Sequence, residues 1–399
     1  MTKRTILWAS ALVALGAAAA CTSEPEGGLA GGKNGAGDPS ATGDKDPNGL
    51  VGKGDEPTVL DERVVDYNEA LRSASLKLLR VLPTLVQIKA VQSADDPQRA
   101  YEEQLDAMLD DVRFQERMIK WWRDTMRQGG GATADRPSRD TAPIFAARVM
   151  AEDRPYTELF TAATGTCPDY DADTHAFVDG DCDNGVPEHA GVLTNPGVMN
   201  QFYGNMAFRR VRWVQEIFVC TKFPAEYSEH PIEKNGTDYV SPWPFESVPK
   251  APIDFQDTKS VICANCHTTI NHIAPLFGYF DAQGQFKDTF QVKTPQTPEP
   301  IATELSHWLE PGEKLAWRLG QPIENLPDLG KAMAADPAVH ECAVARMWNF
   351  ALGKEDIVSD LSTVPVEVLQ PFIDEFESNG QNLKEVLRSM MKSEDFVSF

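Results

Sequence analysis

Cys263-Ala264-Asn265-Cys266-His267 is the stretch around which the rest of this 399-residue chain is organised. It has the C-x-x-C-H spacing at which a haem is attached covalently. Two thiols three positions apart can each add to one vinyl group of the porphyrin, and the adjacent imidazole then becomes an axial ligand of the iron. The stretch therefore predicts haem c, with Cys263 and Cys266 as thioether anchors and His267 as the proximal iron ligand.

Two other uses of these thiols stay open. Cys263 and Cys266 could form a plain disulfide, or they could be two thiolate ligands of a zinc ion. No second C-x-x-C and no H-x-x-x-H is present to complete a zinc site. Haem is therefore the favoured reading, on the condition that the protein is exported.

The N-terminus predicts export. Met1-Thr2-Lys3-Arg4 is a short basic segment, and the apolar run that follows it ends in four alanines directly before Cys21. Small residues followed at once by Cys are typical of a bacterial lipoprotein signal, so we expect cleavage before Cys21 and lipid on its thiol. The alternative is an ordinary signal peptide cleaved near the alanines. Thr22 carries no retention charge, which favours a lipid anchor in the outer membrane of the cell envelope, facing the periplasm or the cell surface.

The charge of the chain excludes one class of partner. Lys and Arg number 37 against 60 Asp and Glu, for a formal net charge of −23. Nucleic acid is a poor partner for such a chain, because affinity for phosphate needs basic patches. The acidity is explained by solubility and self-repulsion. After the signal, no apolar run reaches the 18 residues of a membrane span.

The hydrophobic pattern predicts a mainly α, multi-helical fold with a c-type-cytochrome-like haem-motif region and long irregular loops. The predicted segments are a lipoprotein signal peptide (1–20), the lipidated Cys with a disordered tether (21–60), a helical N-terminal domain (61–160), an acidic Cys-containing loop (161–186), the haem-motif domain (187–300) and a helical C-terminal domain (301–399).

Local signals refine this pattern. In the N-terminal domain, Pro83 breaks a first helical run, and Asp95-Asp96-Pro97 is a start signal for a later one. Residues 114–126 form a fourth apolar-faced run. An amphipathic helix is predicted within 186–223, and the prolines of 224–258 predict a long irregular loop.

The helical runs and the haem motif together resemble a known family. Leu78-Leu79-Arg80-Val81-Leu82-Pro83-Thr84 and Trp121-Trp122 are similar to a helical domain of unknown function in secreted, cytochrome-associated proteins of planctomycete and myxobacterial type. Further stretches with this resemblance are Tyr101-Glu102, Leu105, Leu109, Phe114, 152–158, 189–194, Arg209-Arg210, Cys220, 263–267, 280–282, Gly284, 342–354 and 383–396. The resemblance implies the same three domains over most of the mature chain. This chain departs from the family at Asn271-His272, where Asp-Pro is common, and at Gly278, where Glu is common.

Four cysteines remain besides Cys21, Cys263 and Cys266. They are Cys167, Cys182, Cys220 and Cys342. In an oxidising compartment an even number suggests two disulfides, with three pairings available. We favour Cys167 with Cys182, which closes a local loop, and Cys220 with Cys342, which ties the haem-motif domain to the C-terminal helices. The alternative is that some are buried thiols.

The loop between Cys167 and Cys182 is rich in aspartate. Its carboxylates are Asp169, Asp171, Asp173, Asp179 and Asp181, followed by Asp183. Hard carboxylates at alternate positions can converge on calcium. The EF-hand pattern fails, however, because Asn184 stands where Gly is needed and Ala190 where the closing Glu should be. A solvated acidic loop is favoured over a calcium site.

The sixth ligand of the iron would decide what the haem does. His272 is a poor candidate, because it follows His267 so closely that we expect it on the same side of the porphyrin. The open candidates are the other histidines and Met199, Met206, Met333, Met347, Met390 and Met391. Most methionines at helical spacing are core residues.

Three functions follow from the sequence. The favoured one is a membrane-anchored monohaem protein that transfers one electron in the cell envelope to or from an unidentified redox partner. The second is a haem enzyme of peroxidase or oxidase type, which requires an open or weakly held sixth site. The third is a haem-free structural or binding lipoprotein with a Cys263–Cys266 disulfide. Whether the chain is an enzyme at all is left open.

Overall fold

The fold is mainly α-helical, as predicted. The computed structural model describes residues 62–221, 233–234, 237–238, 269–294, 298–309, 311–318, 320–357 and 364–399. This part of the chain contains thirteen α-helices and eight strands of two or three residues, which pair only as two-stranded hairpins. The predicted signal peptide, Cys21, the predicted tether and the stretch Cys263 to His267 lie outside the described residues, as does the predicted loop 224–258 apart from the short strands β3 (Glu233–Lys234) and β4 (Thr237–Asp238).

Four helices open the described chain, and their ends follow local sequence signals. They are α1 (Tyr67–Leu79), α2 (Leu85–Gln92), α3 (Pro97–Leu109) and α4 (Val112–Met126). Asp66 accepts hydrogen bonds from the first turn of α1, and Asp96 does the same for α3, which has proline in its first turn. Thr84 and Gln87 form a capping box at α2. Helix α1 starts at Tyr67. Val64 lies before this helix and is 67% exposed, so it is not part of the buried face of α1.

The middle of the chain combines short helices with one hairpin. The elements are α5 (Thr141–Ala151), α6 (Glu158–Thr161), β1 (Asp169–Asp171), β2 (Ala176–Val178), η1 (Gly191–Thr194), α7 (Pro196–Gln201), η2 (Asn205–Ala207) and α8 (Phe208–Phe218). Strands β1 and β2 are antiparallel, with Tyr170 opposite Phe177. Helix α8 is the predicted amphipathic helix, and it buries Val211, Val214 and Ile217.

The C-terminal part becomes helical later than predicted. From 269 to 322 the described chain forms η3 (Ala274–Phe277), β5 (Gln291–Val292), β6 (Ile301–Ala302), η4 (Leu305–His307), β7 (Ala316–Trp317) and β8 (Gln321–Pro322). The helices are α9 (Leu326–Ala334), α10 (Pro337–Leu352), α11 (Val366–Ser378), α12 (Leu383–Lys392) and α13 (Glu394–Val397). Pro311 and Pro322 lack the N–H that a helix interior needs, which accounts for the turns before α9.

One hydrophobic core joins helices from both ends of the chain. Residues from Val59 to Phe399 form one compact unit. The Tyr101 hydroxyl of α3 donates to the main-chain oxygen of Met391 in α12, at 2.7 Å. Val64 and Phe399 exchange two main-chain hydrogen bonds of 3.0 Å. The division of this unit into separate N-terminal, haem-motif and C-terminal domains stays a prediction.

Both predicted disulfides are present. Cys167 is bonded to Cys182, and Cys220 at the end of α8 is bonded to Cys342 in α10. The first closes the acidic loop, and the second links segments that are 122 positions apart. Among the described residues, no helix has both the length and the apolar character to cross a membrane.

Candidate functional site

The chain after the haem motif is described from Thr269 onward, and its first ten residues are deeply packed. Ile270, Ile273 and Phe277 are at most 2% exposed. Helix η3 in this segment contacts both η2 and α8. Burial of these apolar side chains fixes the segment against the middle of the chain, each side chain contributing about 1.5–3 kcal/mol. The residues that follow the motif are therefore a rigid platform.

Arg210 fastens this platform to α8. Its guanidinium is 2% exposed and donates to the main-chain oxygens of Met199 (2.6 and 3.1 Å), Phe277 (2.6 Å), Phe280 (3.2 Å) and Asp281 (3.2 Å). Burial lowers the pKa of Arg210 to about 9, which leaves it protonated at neutral pH. A charged donor makes strong hydrogen bonds to these carbonyls, although the Phe277 and Asp281 oxygens also accept main-chain bonds from Phe280 (3.3 Å) and Gly284 (3.1 Å).

The aromatic rings beside Arg210 also favour its charge. Its guanidinium carbon lies 5.3 Å from the ring centre of Tyr203 and 5.9 Å from that of Phe280. Ring faces attract cations, so these contacts offset part of the cost of burying the guanidinium. The sequence resemblance includes Arg209-Arg210, but only the packing distinguishes the two: Arg209 is exposed and Arg210 is buried.

His272 belongs to the same packed segment. It is 2% exposed, and its Nε2 lies 3.4 Å from the Glu313 carboxylate. Its main-chain oxygen accepts a hydrogen bond of 3.2 Å from the N–H of Ala316. His272 is thus held on both its side chain and its main chain by the segment that carries β7.

Gly278 explains one departure from the family pattern. A Cβ atom at this position would lie 2.1 Å from Cε2 of Phe290, much closer than atoms can approach. The Phe290 ring stacks on Tyr279 and on Trp308, with ring centres 5.0 and 5.2 Å apart. A glutamate at 278 therefore cannot coexist with Phe290 in this position, and the chain has glycine instead.

A cavity of about 340 Å³ opens beside the platform. Most of its walls are apolar or aromatic, and they come from the platform, the chain after the acidic loop and the start of α9; among them are Val186, Leu276, Tyr279, Phe280, Phe286 and Leu326. Apolar, concave sites of this size are typical of ligand and cofactor pockets.

The methionines considered for the sixth iron position are all buried. Met199, Met206, Met333, Met347, Met390 and Met391 are at most 1% exposed. Of these, Met206 has a backbone conformation that non-glycine residues seldom adopt, because its φ is +56° and its neighbours Asn205 and Ala207 also have positive φ. Its N–H donates to the main-chain oxygen of Lys293 at 2.8 Å. Strained backbone of this kind clusters at functional sites.

The carboxylates of the acidic loop point to separate partners. Asp171 accepts from the main-chain N–H of Asp173 (2.8 Å), Asp179 pairs with Arg148 (2.6 Å), and Asp181 accepts from the main-chain N–H of Gly165 (2.5 Å). Within the described ranges there is no group of three or more His, Cys, Asp or Glu side chains that could hold a metal ion. These contacts support the solvated-loop interpretation, while calcium itself stays untested.

Comparison with known proteins places a family similarity on the N-terminal part. Residues 55–178, just under a third of the chain, match the model of a family described as a protein of unknown function (DUF1549, PSCyt2). This range covers α1 to α6 and the β1–β2 hairpin, and it ends before the C-x-x-C-H stretch. The comparison with curated proteins found no match. The comparison with solved structures also found none.

Proposed function

We propose that this chain is a c-type monohaem protein that is anchored to a membrane by lipid on Cys21 and transfers single electrons in the cell envelope. The observation that carries the proposal is the C-x-x-C-H spacing of Cys263, Cys266 and His267. These residues would hold the group through two thioethers and one imidazole. When bound, the haem supplies an iron centre that gains and loses one electron reversibly.

The two disulfides support the compartment that this proposal needs. Disulfides persist in oxidising compartments and are rare in the cytosol of most organisms. Cys167–Cys182 and Cys220–Cys342 use every cysteine that is not part of the predicted lipid or haem attachment. The remaining three thiols are therefore left for covalent modification, which agrees with export and with the basic and apolar N-terminus.

The packing after the motif supports a fixed position for the proximal histidine. Ile270 and Ile273 are buried, and Arg210 binds the carbonyls of Phe277, Phe280 and Asp281. A platform that begins three residues after His267 would limit the movement of an iron ligand at that position, and limited movement would reduce the reorganisation that accompanies a change of iron charge. The apolar cavity beside Leu276 and Phe280 has the chemistry that a porphyrin edge needs.

The test is a visible absorption spectrum of the chain produced in a host with c-type haem maturation. We expect a haem band that stays with the polypeptide after denaturation, and sharp low-spin peaks on reduction. The double variant Cys263→Ala/Cys266→Ala should lose the covalent band. The double variant Cys167→Ala/Cys182→Ala removes the same number of cysteines elsewhere and should keep the covalent haem band.

Other spectra would change the assignment. A high-spin spectrum that shifts with peroxide would replace electron transfer by enzyme chemistry at an open sixth position. A haem-free product with a Cys263–Cys266 disulfide would overturn both and leave a structural or binding lipoprotein. His267→Ala, with both thiols intact, should retain covalent haem but lose the low-spin peaks.

The anchor is tested separately. Cys21→Ser removes the only thiol that the N-terminal signal offers for lipid. We expect the wild-type chain to incorporate labelled fatty acid and to remain with the membrane fraction, and the variant to do neither. Incorporation of label by the variant would show that Cys21 is not the lipid site.

A further inference from the structure

A second cavity lies away from the segment after the C-x-x-C-H stretch, between the C-terminal ends of α1 and α10 and one side of α4. Its volume is about 500 Å³. The walls come from α1, α4 and α10 and from the chain that follows α10. None of these elements belongs to the segment after the motif. The cavity is large enough for a small organic ligand.

Two half-buried cations, Lys77 and Arg117, lie on its wall, which also carries the carboxylates of Asp124, Glu355 and Asp356. No carboxylate of the described residues lies within ion-pair distance of Lys77 or Arg117. The Arg117 Nε donates instead to the main-chain oxygen of Lys77 at 3.0 Å, which holds the two cationic residues side by side. In a chain with a net charge of −23, unpaired neighbouring cations in a recess are unexpected.

A third cation on the wall has an orphaned donor. Arg346 is 3% exposed, and its two terminal nitrogens pair with the Asp356 carboxylate and donate to the main-chain oxygen of Glu216. Its Nε is buried with no hydrogen-bond partner. A buried N–H without an acceptor costs about 1–3 kcal/mol, so the wall of this cavity is not optimised for stability alone.

The pKa values of both cations are lowered, so their surroundings disfavour the charged forms. Burial, and then the charge of Arg117, lower the pKa of Lys77. Burial, and then the charge of Arg80, lower the pKa of Arg117, and the charge of Asp124 opposes this in part. The partial negative charge at the end of α1 explains the presence of Lys77, which lies in the last turn of that helix. It does not explain Arg117, which is in the first half of α4, far from that helix's negative end.

The walls also offer apolar surface. Trp121 and Phe350 line the same cavity, with ring centres 5.8 Å apart at an angle of 63°. The Arg117 guanidinium lies 5.1 Å from the centre of the Phe350 ring, so a cation and an aromatic face are presented together. This combination suits a ligand with an anionic group and a carbon skeleton.

We propose that this cavity binds a small oxyanion, either a carboxylate or a phosphate, whose charge is met by Lys77 and Arg117 and whose remainder packs on Trp121 and Phe350. The site is distinct from the proposed haem function and does not depend on it. No carboxylate of the described residues lies close enough to form an ion pair with Lys77 or Arg117, and a bound anion would complete their charge.

The experiment is isothermal titration calorimetry of the purified full chain with inorganic phosphate and, separately, with succinate, together with thermal unfolding in the same buffers. We expect saturable binding of at least one anion and a rise of Tm with its concentration. Lys77→Met should weaken this binding at least tenfold. Lys89→Met, which removes an exposed lysine near the end of α2, should leave it unchanged.

A second readout separates a binding role from a structural one. Without ligand, Lys77→Met should be as stable as the wild type or more stable, because it removes a cation beside Arg117. Arg117→Lys, which keeps the charge, should retain binding within about tenfold, a loss of no more than about 1.4 kcal/mol.

Three results would overturn the proposal. They are the absence of saturable binding of both anions by the wild type, equal weakening by Lys77→Met and Lys89→Met, and a loss of ligand-free stability in Lys77→Met with binding retained. Binding of phosphate alone or of succinate alone would support the proposal and identify the anionic group.

Discussion

Cys220 and Cys342 are joined by a disulfide that fixes the end of α8 to the first half of α10, with their Cα atoms 5.4 Å apart. A second link lies close by, because Arg346, one turn further along α10, donates to the main-chain oxygen of Glu216 in α8 at 2.7 Å. Glu216 is itself 1% exposed and pairs with Arg127 and Arg212. The α8–α10 contact is therefore a covalently and electrostatically reinforced junction between distant parts of the chain.

Removal of the two disulfides should have unequal effects. A cross-link restricts the unfolded chain more when it closes a longer loop, and the separations are 15 and 122 positions. On this reasoning Cys167→Ala/Cys182→Ala should lower the free energy of unfolding by about 3 kcal/mol and Cys220→Ala/Cys342→Ala by about 5 kcal/mol. Denaturant unfolding monitored by circular dichroism measures both. A larger loss for the shorter loop would contradict the prediction.

Replacement of Arg210 should be costly. Arg210→Met removes a buried charged donor from four main-chain oxygens, of which, among the described residues, only those of Phe277 and Asp281 keep a main-chain donor, so we expect a loss of at least about 3 kcal/mol in the free energy of unfolding. Arg209→Met is the matched control, because Arg209 is exposed and donates to the Tyr203 main-chain oxygen at 3.1 Å. Its cost should stay below about 1 kcal/mol. Equal losses in the two variants would show that the buried network is not what stabilises the platform.

Gly191 should not tolerate a side chain. Its φ is +50°, and a Cβ atom there would lie 2.0 Å from the main-chain oxygen of Leu159 in α6. Gly191→Ala therefore combines backbone strain with a clash against backbone, and we expect a loss of about 3 kcal/mol. Gly131→Ala is the control, because a Cβ atom there meets nothing within 4 Å. Unfolding midpoints that coincide for the two variants would refute this account.

Stability should fall at alkaline pH through buried tyrosines. Burial, and then the charges of Glu102 and Tyr67, raise the pKa of Tyr101 far above its usual value of 10.0. A folded-state pKa above the unfolded value means that the stabilisation is complete below pH 10 and is lost as pH rises, because only the unfolded chain releases this proton. Between pH 10 and 11 the wild type should lose about 1 kcal/mol more than Tyr101→Phe. Parallel pH profiles for the two proteins would be inconsistent with this shift.

The comparison at pH 8 provides the baseline for that measurement. Tyr101→Phe removes the hydrogen bond to the Met391 oxygen, and we expect it to cost about 1–3 kcal/mol at this pH, where neither state ionises. The alkaline effect is the change with pH in the difference between the unfolding free energies of the wild type and the variant. Tyr156 and Arg210 are present in both proteins, so their contributions cancel in this difference.

Local sequence signals determined most of the helical framework. The starts of α2 and α3 follow from Thr84 and from Asp96-Pro97, because a cap and a proline act within one turn of the helix that they begin. The apolar spacing around Val211 predicted α8, because a helix turns its buried residues to one face within a few positions. The turns of 301–322 were predicted less well, since short irregular pairings leave little periodicity to read.

The cysteines were also paired correctly from the sequence. Counting left four of them, and the choice among three pairings relied on loop length and on which segments needed joining. The C-x-x-C-H stretch predicts haem attachment from spacing within five residues and not from the fold, and this stays a prediction.

Only the tertiary structure decided which charged residues matter. Arg209 and Arg210 are adjacent and identical in type, and packing alone buried one of them among carbonyls from residues 199–281. Lys77, Arg117 and Arg346 come from three helices that are distant in sequence. In the described part of the chain, Lys77 and Arg117 lack an ion pair, and Arg346 has a buried Nε without an acceptor, because of how these helices are arranged. Spacing governs chemistry that acts within a few residues, whereas burial and charge compensation depend on every neighbour in space.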